Sequence, residues 1–88
     1  MDLTTVLMDL YRSEINCSIS SFWDNGFLVQ LGDDMNGFLA EAYVRTPMEA
    51  ATFLDKAARE HFPESAYALG HEEHEQEMRR RRKIHPVE

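Results

Sequence analysis

Apolar positions at the start of the chain recur at helical spacing. Leu3, Val6, Leu7, Leu10 and Tyr11 make one stripe, so residues 3–14 read as an amphipathic helix. Asp2 stands where its carboxylate can accept from the free backbone donors of the first turn. Met8, Asp9, Arg12 and Ser13 fall off the stripe and are expected to face water. The period then changes to two. Ile15, Cys17, Ile19 and Trp23 alternate with Asn16, Ser18 and Ser20, and Phe27, Val29 and Leu31 alternate with Leu28 and Gln30. That period marks two strands with one buried face. A third strand is expected over residues 38–44, after the loop Gly32-Asp33-Asp34-Met35-Asn36-Gly37. Phe38, Ala40, Ala42 and Val44 form one side of it, and Leu39, Glu41 and Tyr43 the other.

Thr46-Pro47-Met48-Glu49 is a helix start of the capping-box kind. Thr46 can satisfy a first-turn donor, Pro47 needs no donor at the first helical position, and Glu49 can reach back to Thr46. This helix is expected to run to about Phe62, where Pro63 stops it. Its apolar side uses Ala50, Ala51, Leu54, Ala57, Ala58 and Phe62, with Phe53 at the border.

The turn WDNGF joins the first two strands. A two-residue loop at Asn25-Gly26 would set Trp23 against Leu28 and mix polar and apolar residues on both faces. A three-residue loop at Asp24-Asn25-Gly26 pairs Trp23 with Phe27, Ser21 with Val29 and Ile19 with Leu31. It gathers the large apolar residues on one face and suits a turn closed by a glycine bulge. Burial selects this register, because a one-residue slip would turn the whole set outward. The expected core face is Ile15, Cys17, Ile19, Trp23, Phe27, Val29, Leu31, Phe38, Ala40, Ala42 and Val44. The other face holds Ser18, Ser20, Phe22, Leu28, Gln30, Leu39, Glu41 and Tyr43, with Phe22 across from Leu28.

Helix, three strands, helix, with short loops, is an αβββα order with an antiparallel meander. Both helices need cover for their stripes, and one sheet face can supply it. The expected fold is therefore a two-layer α+β sandwich over residues 1–69. Residues 70–88 form a charged tail, a frayed helix or a disordered segment, with Glu75–Arg79 and Glu77–Arg81 spaced as helical ion pairs.

Eighty-eight residues make one small domain, which buries only about 60–65% of the surface of its unfolded chain. A single cysteine, Cys17, allows no internal disulfide. The first residues lack the pattern of a secretory signal, and no apolar run is long enough to span a bilayer, so a cytoplasmic protein is expected. Residues 1–70 carry four basic and eleven acidic side chains, which accounts for the whole net charge of −7. Such a body repels phosphate backbones.

Candidate chemistry is sparse. The Asp-rich loop fails calcium-loop spacing and reads as a turn in which Asp and Asn bond their own backbone. His71 and His74 lie among glutamates but do not make an HExxH pair, so no metal site is assigned. His61 closes the second helix, no glycine-rich phosphate loop or nucleophile elbow occurs, and Cys17 belongs to the core face. A non-catalytic protein without a cofactor or small-molecule substrate is expected.

The order helix, three strands, helix resembles that of double-stranded RNA-binding domains. The resemblance covers the order of elements and no motif. It would imply a lysine-rich start to the last helix for phosphate, whereas Thr46-Pro47-Met48-Glu49-Ala50-Ala51 contains no base.

What remains distinctive is the half-apolar outer sheet face. Phe22, Leu28, Leu39 and Tyr43 would carry binding to a protein partner or to a second copy in a homodimer. The alternative is a nucleic-acid contact through Arg79, Arg80, Arg81, Arg82 and Lys83, which the acidic body and the neighbouring glutamates disfavour.

Overall fold

A computed structural model describes residues 1–70 of the chain. The order is helix α1 (Leu3–Arg12), strands β1 (Cys17–Phe22), β2 (Gly26–Asp33) and β3 (Gly37–Val44), helix α2 (Pro47–His61) and a short helix α3 (Ala66–Leu69). The strands form one antiparallel meander in the order β1-β2-β3. This is the expected α+β fold, with α3 added. The charged tail, including the paired charges at 75–81, lies outside the described residues.

The helix ends form as their residues dictate. Asp2 Oδ1 accepts the Thr5 amide at 2.7 Å. At the other end of α1, the Ile15 amide donates to Leu10 O and the Glu14 amide to Tyr11 O. Those two bonds make a Schellman stop, which needs a left-handed residue. Here that residue is Glu14, with φ 60°. In α2 the Glu49 amide donates to Thr46 Oγ1 at 3.1 Å. The return bond differs from expectation: the Thr46 hydroxyl itself donates to the Glu49 carboxylate.

Helix α2 lies across β2 and β3, and α1 packs on α2. The core joins Val6, Leu10 and Ile15 to Val29 and Leu31 of the central strand and to Ala50, Ala51, Leu54, Ala57 and Ala58 of α2. The alanines leave little side-chain bulk between α2 and what it covers. Tyr11, expected on the buried stripe, is instead 78% exposed, because α1 rests on α2 along a narrow strip through Val6 and Leu10.

The register corrects two expectations. Between β1 and β2 the pairs are Phe22 with Gly26, Ser21 with Phe27, Ile19 with Val29 and Cys17 with Leu31. The loop has three residues, but they are Trp23, Asp24 and Asn25, with the Asn25 amide bonded to Phe22 O. The slide of two residues keeps the side chains within β1 and β2 on their expected faces. It also carries Trp23 out of the core to the hairpin tip, where it is 97% exposed. The cause is Gly26, which sits at φ 91° with its Cα against the Val44 carbonyl, where a Cβ would collide. Strand β3 therefore helps to place the glycine inside the ladder rather than in the turn.

The second correction concerns Phe38. The β2–β3 ladder shifts between Leu31 and Gly32, so that Ala40 faces Leu31 while Phe38 faces Gly32. Leu39 is the extra residue of this bulge. A bulge interrupts the two-residue alternation, and Phe38 is 43% exposed instead of packing on the core with Ala40 and Val44. Gly32 has φ 110°, and the Gly37 carbonyl occupies the space a side chain would need.

Candidate functional site

The outer face of the sheet is the side turned away from α2. Leu28 lies on the central strand, directly opposite Tyr43 on β3 and Ser20 on β1. One step along, Gln30 faces both Ser18 and Glu41, and its side-chain amide donates to the Glu41 carboxylate at 3.0 Å. Phe22 faces Gly26 rather than Leu28, which becomes its diagonal neighbour, still within reach of an aromatic ring. Leu39 stands at the bulge on β3.

Burial ranks these residues. Leu28 is half-buried, while Phe22, Leu39 and Tyr43 are 44%, 46% and 70% exposed. Sequence reasoning missed Trp23 and Phe38, both assigned to the core. Their exposure adds aromatic surface at the hairpin tip and beside the bulge. Neither position was legible from alternation, because each depends on a glycine that approaches another strand's backbone.

The short helix α3 was the one element of the body that could have covered this face. It packs against α2 and α1 instead. Tyr67 is buried there, and its hydroxyl donates to Asp55 Oδ1 at 2.7 Å. Arg59 also reaches Asp55 Oδ1, at 3.1 Å, donates to Ala68 O and lies over the Tyr67 ring. Among the described residues, no helix covers the outer face.

Elsewhere the polar groups are engaged in structure. Asp33 accepts from the amides of Met35 and Asn36 through Oδ1, and from the Asn16 and Asn36 side chains through Oδ2. These bonds, the Asn36 amide first and the Asn16 side chain next, hold its carboxyl below the ordinary value. The Asp-rich loop is thus a turn closed on its own backbone. It borders an open depression of about 540 Å³ with Asn16, Cys17, Ser18 and Phe38 on its walls. Among the described residues, no three His, Cys, Asp or Glu side chains gather to hold a metal ion. Cys17 is half-buried on the core side, and burial pushes its thiol up, away from the reactive thiolate. The histidines at 71, 74 and 85 and the basic run at 79–83 lie outside the described residues. Among the described residues, no helix is long and apolar enough to cross a membrane.

The fold and the face together define a small α+β domain in which, among the described residues, one sheet surface is covered by helix and the other is not. No known protein family, curated protein or solved structure matches the chain.

Proposed function

We propose that this is a non-catalytic binding protein, and that the outer sheet face is the surface that meets a protein partner. The simplest partner is a second copy stacked face to face. The observation that supports this reading is the packing of α3 onto α2 and α1, which leaves Phe22, Leu39 and Tyr43 without intramolecular cover among the described residues. Exposed apolar residues gathered on one face mark interaction surfaces. The face also suits self-association electrostatically. Its one carboxylate, Glu41, accepts a hydrogen bond from Gln30, so this patch carries a single negative charge on a strongly acidic body.

The proposal is tested with Leu39→Gln/Tyr43→Gln, which alters two exposed side chains on one strand. The wild type is expected to sediment as a complex and the variant at a lower mass, with an unchanged circular dichroism spectrum. Equal masses for the two proteins would defeat the proposal.

A further inference from the structure

We infer that the free edge of β1 is a second interaction surface, and that its occupant is β1 of another copy, paired antiparallel. The inference does not rest on the outer face. It rests on the backbone of the edge strands and on how differently the two edges are built.

The Gly32 amide donates to Asn16 O at 2.7 Å, and these residues lie opposite each other at the end of the β1–β2 ladder. In an antiparallel ladder, directly hydrogen-bonded pairs alternate with non-bonded ones. Ser18, Ser20 and Phe22 therefore share the phase of Asn16 and bond toward β2. The N–H and C=O groups of Cys17, Ile19 and Ser21 point the other way, along a sheet edge that no other strand pairs among the described residues.

The edges differ in their protection. Soluble proteins blunt exposed strand edges with charges, prolines, bulges or a covering element. Strand β3 carries a bulge at Leu39 and the charge of Glu41. Strand β1, Cys-Ser-Ile-Ser-Ser-Phe, has no charge, no proline and no bulge. Helix α2 packs beneath β2 and β3, and among the described residues no helix makes more than marginal contact with β1. Cys17 and Ile19 are only half-buried on that underside, and Ser21 is exposed.

The strand is also compatible with itself. A twofold axis through Ile19 sets Ile19 opposite its own copy, and Cys17 opposite Ser21 in both directions. The outward groups then meet as directly bonded pairs, each exchanging two N–H···O bonds. Ser18 faces Ser20 on the outer side, and the two paired strands carry no charge of their own despite the net charge of −7. Two three-stranded sheets become one six-stranded sheet, which sets two outer faces side by side and covers the underside of Ile19.

The test is residue-resolved amide hydrogen exchange on the full chain at rising protein concentration. It compares the wild type, Ser21→Pro and Leu39→Gln/Tyr43→Gln. A proline at 21 removes one outward donor and takes nothing from the β1–β2 ladder. The wild-type amides of Ile19 and Ser21 are expected to slow by at least roughly tenfold as concentration rises. Slowing at Ile19 should persist in the β3 double variant and disappear in Ser21→Pro. Exchange independent of concentration would overturn the inference, whether the amides are fast or are protected by residues 71–88 of the same chain. Protection lost in the β3 double variant would also overturn it, by assigning the association to the outer face. Should Ser21→Pro fail to fold, Ser18→Cys and Ser20→Cys chains, each in a Cys17→Ser background, are mixed and oxidised. The mixed disulfide should dominate, since these residues oppose each other as a close, non-bonded pair. A statistical mixture of the three disulfides would contradict the pairing.

Discussion

The Tyr67 hydroxyl donates to Asp55 Oδ1 at 2.7 Å, and this bond fastens α3 to α2. Through it, residues 64–70 are committed to the helical layer rather than to the far side of the sheet. Tyr67→Phe should keep the ring in place and lose the bond, at a cost of about 1 kcal/mol in chemical denaturation. Burial first, and the Asp55 contact second, push the Tyr67 phenol above its ordinary value. A group raised in the folded state stabilises fully below its unfolded value, about 10, and loses that contribution as pH rises toward the folded value. Wild-type stability should therefore fall above about pH 10, and more steeply than that of Tyr67→Phe. Parallel pH profiles for the two proteins would rule out this role.

Trp23 is the largest side chain in the sequence and stands in water at the hairpin tip. Trp23→Ala should change the unfolding free energy by no more than about 0.5 kcal/mol, the usual range for a surface substitution. A buried tryptophan would cost about 3–5 kcal/mol. Urea titration followed by circular dichroism distinguishes these values, and a loss of the larger size would restore Trp23 to the core.

Glu14 adopts φ 60° to complete the Schellman stop of α1. The left-handed conformation strains a residue that has a Cβ and suits glycine. Glu14→Gly should raise stability by roughly 0.5–1 kcal/mol, offset in part by the freedom glycine adds to the unfolded chain. A lower midpoint in thermal unfolding would show that the Glu14 side chain contributes more than its backbone strain costs.

Asp33 holds the β2–β3 loop and, through Asn16, the entrance to β1. Its carboxyl is depressed by those donors, so its contribution is present above the unfolded value, about 3.9, and is lost as pH falls through the lower folded value. Asp33→Ala should free the Met35 and Asn36 amides to exchange rapidly at neutral pH. The wild-type loop should loosen in the same way only in acid. Unchanged exchange at both amides in the variant would contradict this account of the loop.

The strands and helices were legible because each has its own period and its own stop. Asp2, the Thr46–Glu49 pair and Pro63 act locally, and the sheet faces follow from alternation. Trp23 and Phe38 were not legible, for a shared reason. Gly26 and Gly32 both lie against the backbone of β3, and the exclusion of a Cβ there decides which residues pair. Local turn chemistry at Asp24-Asn25-Gly26 carries no information about a carbonyl on Val44. The outer face survived these shifts because the slide between β1 and β2 was even. Phe22, Leu28 and Tyr43 kept their side while their neighbours changed. The position of α3 depended on a tyrosine–aspartate pair twelve residues apart, which periodicity does not reveal.

Binding of protein by the outer sheet face is read out by sedimentation equilibrium of the full chain. Wild type and Leu39→Gln/Tyr43→Gln are compared at matched concentrations, after purification from the protein's own host. The expected result is a wild-type assembly that loses mass in the variant while the fold is retained. A wild type that sediments as a single chain with nothing bound, or a variant of equal mass, would contradict it.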